Sequence, residues 1–138
     1  MKAKNPDYEA VIRASFARQS MMVTLGARLD RVAPGAVDIT VPITDALRQQ
    51  HGFAHGWLAF AVGDSAAGYS ALSLQPEGFE VLTIEMKINY LAPATDGDLV
   101  AKGRVIKPGR TVVVVGADVF CGEVHIAALQ GSMIVKAP

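Results

Sequence analysis

One carboxylate stands where a carboxylate is costly. Asp64 interrupts the run Trp57-Leu58-Ala59-Phe60-Ala61-Val62-Gly63-Asp64-Ser65-Ala66-Ala67-Gly68-Tyr69, which is otherwise almost wholly apolar. An acid among Ala, Val, Phe and Gly is disfavoured unless something uses it. Just ahead lies a polar, glycine-broken loop, Gln49-Gln50-His51-Gly52-Phe53-Ala54-His55, ending at Gly56. If Gly56 opens a helix, its N–H belongs to the unsatisfied first turn, with the positive end of the helix dipole behind it. Such a group is a ready donor to an oxygen gaining negative charge. His51 and His55 are four residues apart, a spacing found among metal ligands. Gly52 breaks any helix between them and no third ligand adjoins. No metal is therefore expected, and His55 reads as an organiser of the loop and helix start.

These residues need elements to hold them. Asn5-Pro6-Asp7 is a helix-start signal, and Tyr8, Val11, Ile12 and Phe16 recur at helical spacing, predicting a helix over 6–20. Alternation over Thr24–Asp30 and over Val37–Val41, with Ala33-Pro34-Gly35 between, predicts a hairpin. The stretch 55–74 is apolar all round and rich in Ala and Gly, so it reads as a helix buried on most sides; at about 1.5 Å per residue it spans roughly 30 Å. Strands then follow over 82–90, 99–107, 111–120 and 124–135. In the first of these, Leu82, Ile84, Met86, Ile88 and Tyr90 are expected on one face. Lys107-Pro108-Gly109-Arg110 has Pro and Gly at type II positions. One long helix cannot be buried alone, so the sheet must curl around it. The result is an α+β fold in one domain over 1–138, with an N-terminal helix over 1–20. A curled sheet keeps an open edge and an uncovered outer face, which association removes.

With this order of elements the chain resembles the PaaI-like acyl-CoA thioesterases, the phenylacetate-pathway type of the hotdog superfamily. His55-Gly56 matches the family's helix opening, and Asp64 stands at the family's distance of nine residues after the His. Ser65-Ala66-Ala67-Gly68-Tyr69 and Met86-Lys87-Ile88-Asn89-Tyr90-Leu91-Ala92-Pro93-Ala94 are also similar to family segments, as are Gly103-Arg104-Val105 and Gly109-Arg110. The likeness covers about residues 20–135. It implies the hotdog fold and hydrolysis of a small or aromatic acyl-CoA, such as phenylacetyl-CoA, to free acid and CoA. No cofactor is implied. Asp64 would serve as nucleophile or as the base that activates water, and the Gly56 N–H as oxyanion donor. Gln49 matches a position near the thioester carbonyl, and Thr83 one that orients the attacking water. The site would lie between two subunits of a dimer, with a dimer of dimers the family habit. Arg104, Lys107 and Arg110 are candidates for the CoA phosphates, and a solvated strand face explains them equally well. The second glycine of the family's pair is Trp57 here, a ring able to narrow an acyl pocket or stack on an aromatic acyl group. Met21 and Met22, after the N-terminal helix, stand where they could cover part of that pocket.

Other classes are weighed against this. A non-catalytic acyl-CoA binder on the same fold is the alternative that Trp57 keeps open. A dehydratase pairs its His with an acid in a different motif, which is absent. There is no Gly-x-Ser-x-Gly elbow and no phosphate-cradling glycine loop. The formal net charge is zero, so nothing recommends a nucleic acid or an anionic membrane as partner. The N-terminus carries no apolar signal core and no apolar run reaches spanning length, which points to a soluble cytoplasmic protein. Cys121 is the only cysteine, so no intrachain disulfide forms; it reads as a core or near-surface thiol, and His125 as an ordinary strand residue.

Overall fold

The N-terminal segment departs from the sequence expectation in an instructive way. In the computed structural model, which describes residues 1–138, the first helix α1 spans Tyr8–Ala17 and a second, α2, spans Ser20–Leu25. Asn5 Oδ1 accepts the Asp7 N–H at 2.9 Å, so the asparagine makes a turn before the helix instead of capping it. Gln19 is extended and separates the two helices. Leu25 therefore ends a helix and does not begin a strand. Gly26, with φ 71°, closes α2, its N–H and that of Ala27 going to the Val23 and Met22 carbonyls. A strand-like alternation across 24–30 was produced by a helix end and a strand start lying side by side.

The strands follow as β1 (Arg28–Ala33), β2 (Ala36–Pro42), β3 (Glu80–Tyr90), β4 (Asp98–Lys107), β5 (Val112–Cys121) and β6 (Val124–Lys136). All pairings are antiparallel and the sheet order is β1-β2-β4-β5-β6-β3. The first hairpin is formed as expected, Gly35 supplying a φ of 79° at its turn. Gly109 has no positive φ, so the expected type II turn is not made. Its lack of a side chain serves another end, since a Cβ there would run into the Val112 carbonyl oxygen.

The central helix α3 spans Gly56–Leu72, inside the predicted 55–74. Leu58, Val62, Ala66 and Ala67 are buried against Ile39 of β2, Ala101 of β4, Val115 of β5 and Leu129 of β6, among others. The small residues let strand backbone touch helix backbone. A Cβ on Gly103 of β4 would collide with the Ala66 carbonyl, and one on Gly63 would lie 2.8 Å from a Leu129 methyl. No helix is long and apolar enough to cross a membrane.

Strand β3 forms one edge of the sheet and carries a bulge between Thr83 and Glu85. The bulge resets the alternation, so the predicted single face from Leu82 to Tyr90 is split. Met86 and Ile88 are partly buried against the core, while Leu82 and Ile84 remain exposed. The same reset turns Thr83 toward the helix.

Candidate functional site

The loop before α3 is built on Arg48. Its guanidinium donates to the Gly52 carbonyl at 2.8 Å, to the Thr95 carbonyl, to Asp96 at 3.0 Å and to Asp45 at 3.1 Å. Backbone bonds from Ala54 to Ala94 and from His55 to Leu47 complete the tie, at 2.8 and 2.9 Å. This brings Gln49 beside the start of α3, with its side-chain oxygen accepting the His51 N–H. His55 is extended and caps the helix, its Nδ1 accepting the Trp57 N–H at 3.0 Å. The Gly56 N–H has no acceptor within the chain. Gln49, His55 and Gly56 border one cavity of about 370 Å³, otherwise mostly apolar, with Ala59, Leu99 and Tyr90 in its wall.

Asp64 lies eight residues after Gly56, about 12 Å further along α3. Thr83 Oγ1 donates to Asp64 Oδ1 at 2.8 Å. The two border a second cavity, of about 210 Å³, with Gln19, Ser65, Tyr69 and Glu80. Burial pushes the Asp64 carboxyl above the ordinary aspartate value, and the Thr83 hydroxyl opposes that in part by stabilising the charged form. In chemical terms, the first cavity offers an unpaired N–H beside an apolar chamber. The second offers a carboxylate that is partly stripped of water yet oriented by a donor.

The family model of the thioesterase superfamily matches residues 51–128, more than half of the chain. The chain belongs to the thioesterase superfamily. It is 41% identical to a thioesterase family protein of Silicibacter pomeroyi, covering 95% of this chain and 99% of that one, with a TM-score of 0.90. A thioesterase of Staphylococcus aureus is 26% identical over 86% of this chain and 99% of its own, with a TM-score of 0.82. The PaaI protein from the phenylacetic acid degradation operon of Escherichia coli, at 20% identity, covers 93% of this chain and 92% of its own with a TM-score of 0.85, and so shares the fold. The molecule is a hotdog-fold thioesterase, a hydrolase of thioesters.

Within this thioesterase the predicted site residues do not gather in one place. Gln49, His55 and Gly56 share the first cavity, Asp64 and Thr83 the second. Trp57 borders neither: the residue is 65% exposed, its ring packs edge-on against Phe60 at 4.9 Å, and it flanks a separate groove with Met21 and Leu25. The three candidate cations do not converge on either cavity. Arg104 is paired with Asp118 on the outer face of the sheet, and Lys107 and Arg110 stand in solvent at the end of β4 and in the turn beyond. The Asp118 that holds Arg104 also has His125 Nε2 3.0 Å from its other oxygen, so His125 belongs to that outer-face charge cluster.

Two residues escaped the sequence analysis. Arg48 organises the Gln49 loop, and its only signal was a cation ahead of Gln49-Gln50 with acids in turn-forming segments to either side. Tyr90 is the other. Its hydroxyl donates to the Gly56 carbonyl at 2.9 Å. A Cβ on residue 56 would lie 3.0 Å from the Tyr90 hydroxyl oxygen, so a side chain there would press on Tyr90.

Proposed function

We propose that the thioesterase hydrolyses a small or aromatic acyl-CoA to free acid and CoA at a site shared by two copies of the chain. The thioester carbonyl oxygen is received by the Gly56 N–H of one copy, near Gln49. Asp64 of the facing copy, oriented by Thr83, attacks the carbonyl carbon or takes a proton from the water that does. The C–S bond then breaks and CoA leaves as the thiol; where water is the nucleophile the free acid forms directly, and where Asp64 is, the acyl-Asp64 anhydride is next hydrolysed by water, which releases the acid and restores the carboxylate. The single observation that carries this is Asp64 itself, a carboxylate partly desolvated on an otherwise apolar helix and held by one donor.

The shared site is favoured by distance and by the edge strand. Gly56 and Asp64 are about 12 Å apart along one rigid helix, too far for one carbonyl group to meet both. β3 is unpaired on its outer side, with Leu82 and Ile84 more than half exposed. An aromatic acyl group suits the chamber at Gly56, whose walls include Phe53 and Tyr90. The operon that houses the Escherichia coli relative makes phenylacetyl-CoA the first substrate to assay.

The test is Asp64→Asn, followed by thiol release from phenylacetyl-CoA and several short acyl-CoAs. A loss of at least about a hundredfold in kcat is expected from removing a nucleophile or general base. Wild-type turnover by the variant would overturn the assignment.

A further inference from the structure

The geometry points to Tyr90 as a positioning residue for the thioester carbonyl, acting by fixing the Gly56 backbone through its hydroxyl. The inference rests on the proposed role of the Gly56 N–H and adds the residue that aims it.

The peptide joining Gly56 to Trp57 is held at both of its polar ends. Its N–H goes to His55 Nδ1 at 3.0 Å, and its carbonyl receives the Tyr90 hydroxyl at 2.9 Å. The next peptide toward the N-terminus carries the Gly56 N–H, which is unpartnered and borders the 370 Å³ cavity. Glycine is the residue least able to hold its own backbone angles. The carbonyl of that peptide, on His55, accepts the Leu58 N–H at 2.9 Å, a single bond in the first helical turn, where helix ends fray. Tyr90 adds a hold from a fixed base outside the helix. It is the last residue of β3, it pairs with Ala127, and the next residue's N–H is bonded to Ile126 at 2.8 Å. The clamp thus ties the aim of the N–H to the sheet instead of to the glycine. Partial desolvation raises the Tyr90 hydroxyl above the ordinary tyrosine value, which keeps it protonated and able to donate at working pH.

The clamp also accounts for the crowding at residue 56. The tyrosine ring occupies the direction in which a side chain would project, with ring and hydroxyl atoms at 3.0–3.2 Å from a built Cβ. Tyr90 and Gly56 therefore fit one another: the glycine leaves the ring its space, and the hydroxyl bonds the glycine's carbonyl.

Tyr90→Phe removes only the hydroxyl. Its effect is read in two ways: kcat and KM with phenylacetyl-CoA, and the infrared carbonyl stretch of a bound ketone analogue in which methylene replaces the thioester sulfur. The expected result is a fall in kcat of about tenfold with KM within about twofold, the size of effect that misaligning a catalytic group produces. The bound carbonyl stretch should lie closer to its solution frequency than in the wild type, while the melting temperature stays unchanged. The wild-type spectrum serves as the separating control. A wild-type bound carbonyl stretch already at its solution frequency would show that the Gly56 N–H receives no carbonyl oxygen, and the proposed function and the inference then fail together; a shifted wild-type stretch leaves Tyr90 to be decided by the variant alone. An unaltered kcat in Tyr90→Phe overturns the inference. So does a lowered kcat with an unmoved carbonyl stretch, because the loss then arises elsewhere.

Discussion

Asp64 and Thr83 make a pair whose energetics can be tested by pH. Burial raises the Asp64 carboxyl and the Thr83 hydrogen bond lowers it, with burial the larger effect. The proposed mechanism uses the ionised form, so the acidic limb of the kcat profile should fall at a higher pH than for an ordinary aspartate, whose reference value is 3.8. Thr83→Val keeps the shape and removes the donor. The carboxylate then loses its stabilising partner, its proton binds more tightly, and the limb should move further toward neutral pH. A pH–rate series on both proteins measures this; an acidic limb that stays put or moves down would exclude Thr83 as the carboxylate's partner. The acid was legible in the sequence because its cost was visible there, one charge in an apolar run. Thr83 rested on resemblance alone, and only the bulge after it explains how it reaches the helix. Tyr90 was not legible as a site residue, because its role depends on a contact 34 positions away in the chain.

At the scale of elements, α3 is seated by contacts that leave no spare room. Gly103 on β4 faces the backbone of Ala66, and any side chain there must push the helix off the sheet. Gly103→Ala should cost about 3 kcal/mol, near the upper end for overpacking. Urea unfolding measures it, and a cost under about 0.5 kcal/mol would mean that helix and strand are less tightly apposed than described. The central helix was readable from an apolar run too long for a strand and free of any stripe, and the last three strands from apolar runs bounded by turn residues. What periodicity missed shares one cause. α2, the bulge in β3 and the turn at Gly109 depend on single backbone positions, such as the left-handed Gly26, that change the repeat part-way through an apolar pattern. The bulge has the largest consequence. It leaves Leu82 and Ile84 outside while turning Thr83 in, giving the edge strand both an exposed apolar face and a contact with Asp64.

At the scale of the whole molecule, the proposed mechanism draws on two half-sites that one chain does not join. The Gly56 N–H with Gln49 and Tyr90 is one half, and Asp64 with Thr83 is the other. They sit about 12 Å apart on a helix that cannot bend to join them. A two-fold pairing would bring each half against the other's counterpart, since the same patch serves both partners in such an interface. The claim that two copies build the site is open to a complementation experiment. Gly56→Pro deletes the N–H, and Tyr90→Ala in the same chain clears the space the proline ring needs; His55 is already at φ −61° and ψ 137°, as a residue before proline prefers. Asp64→Asn deletes the other half. Each variant alone should be lower than the wild type by about a hundredfold or more. After exchange of subunits, half of the dimers are mixed and each holds one intact site, so the mixture should recover about a quarter of the wild-type rate. A mixture of proven heterodimers that stays as inactive as its components would contradict the account.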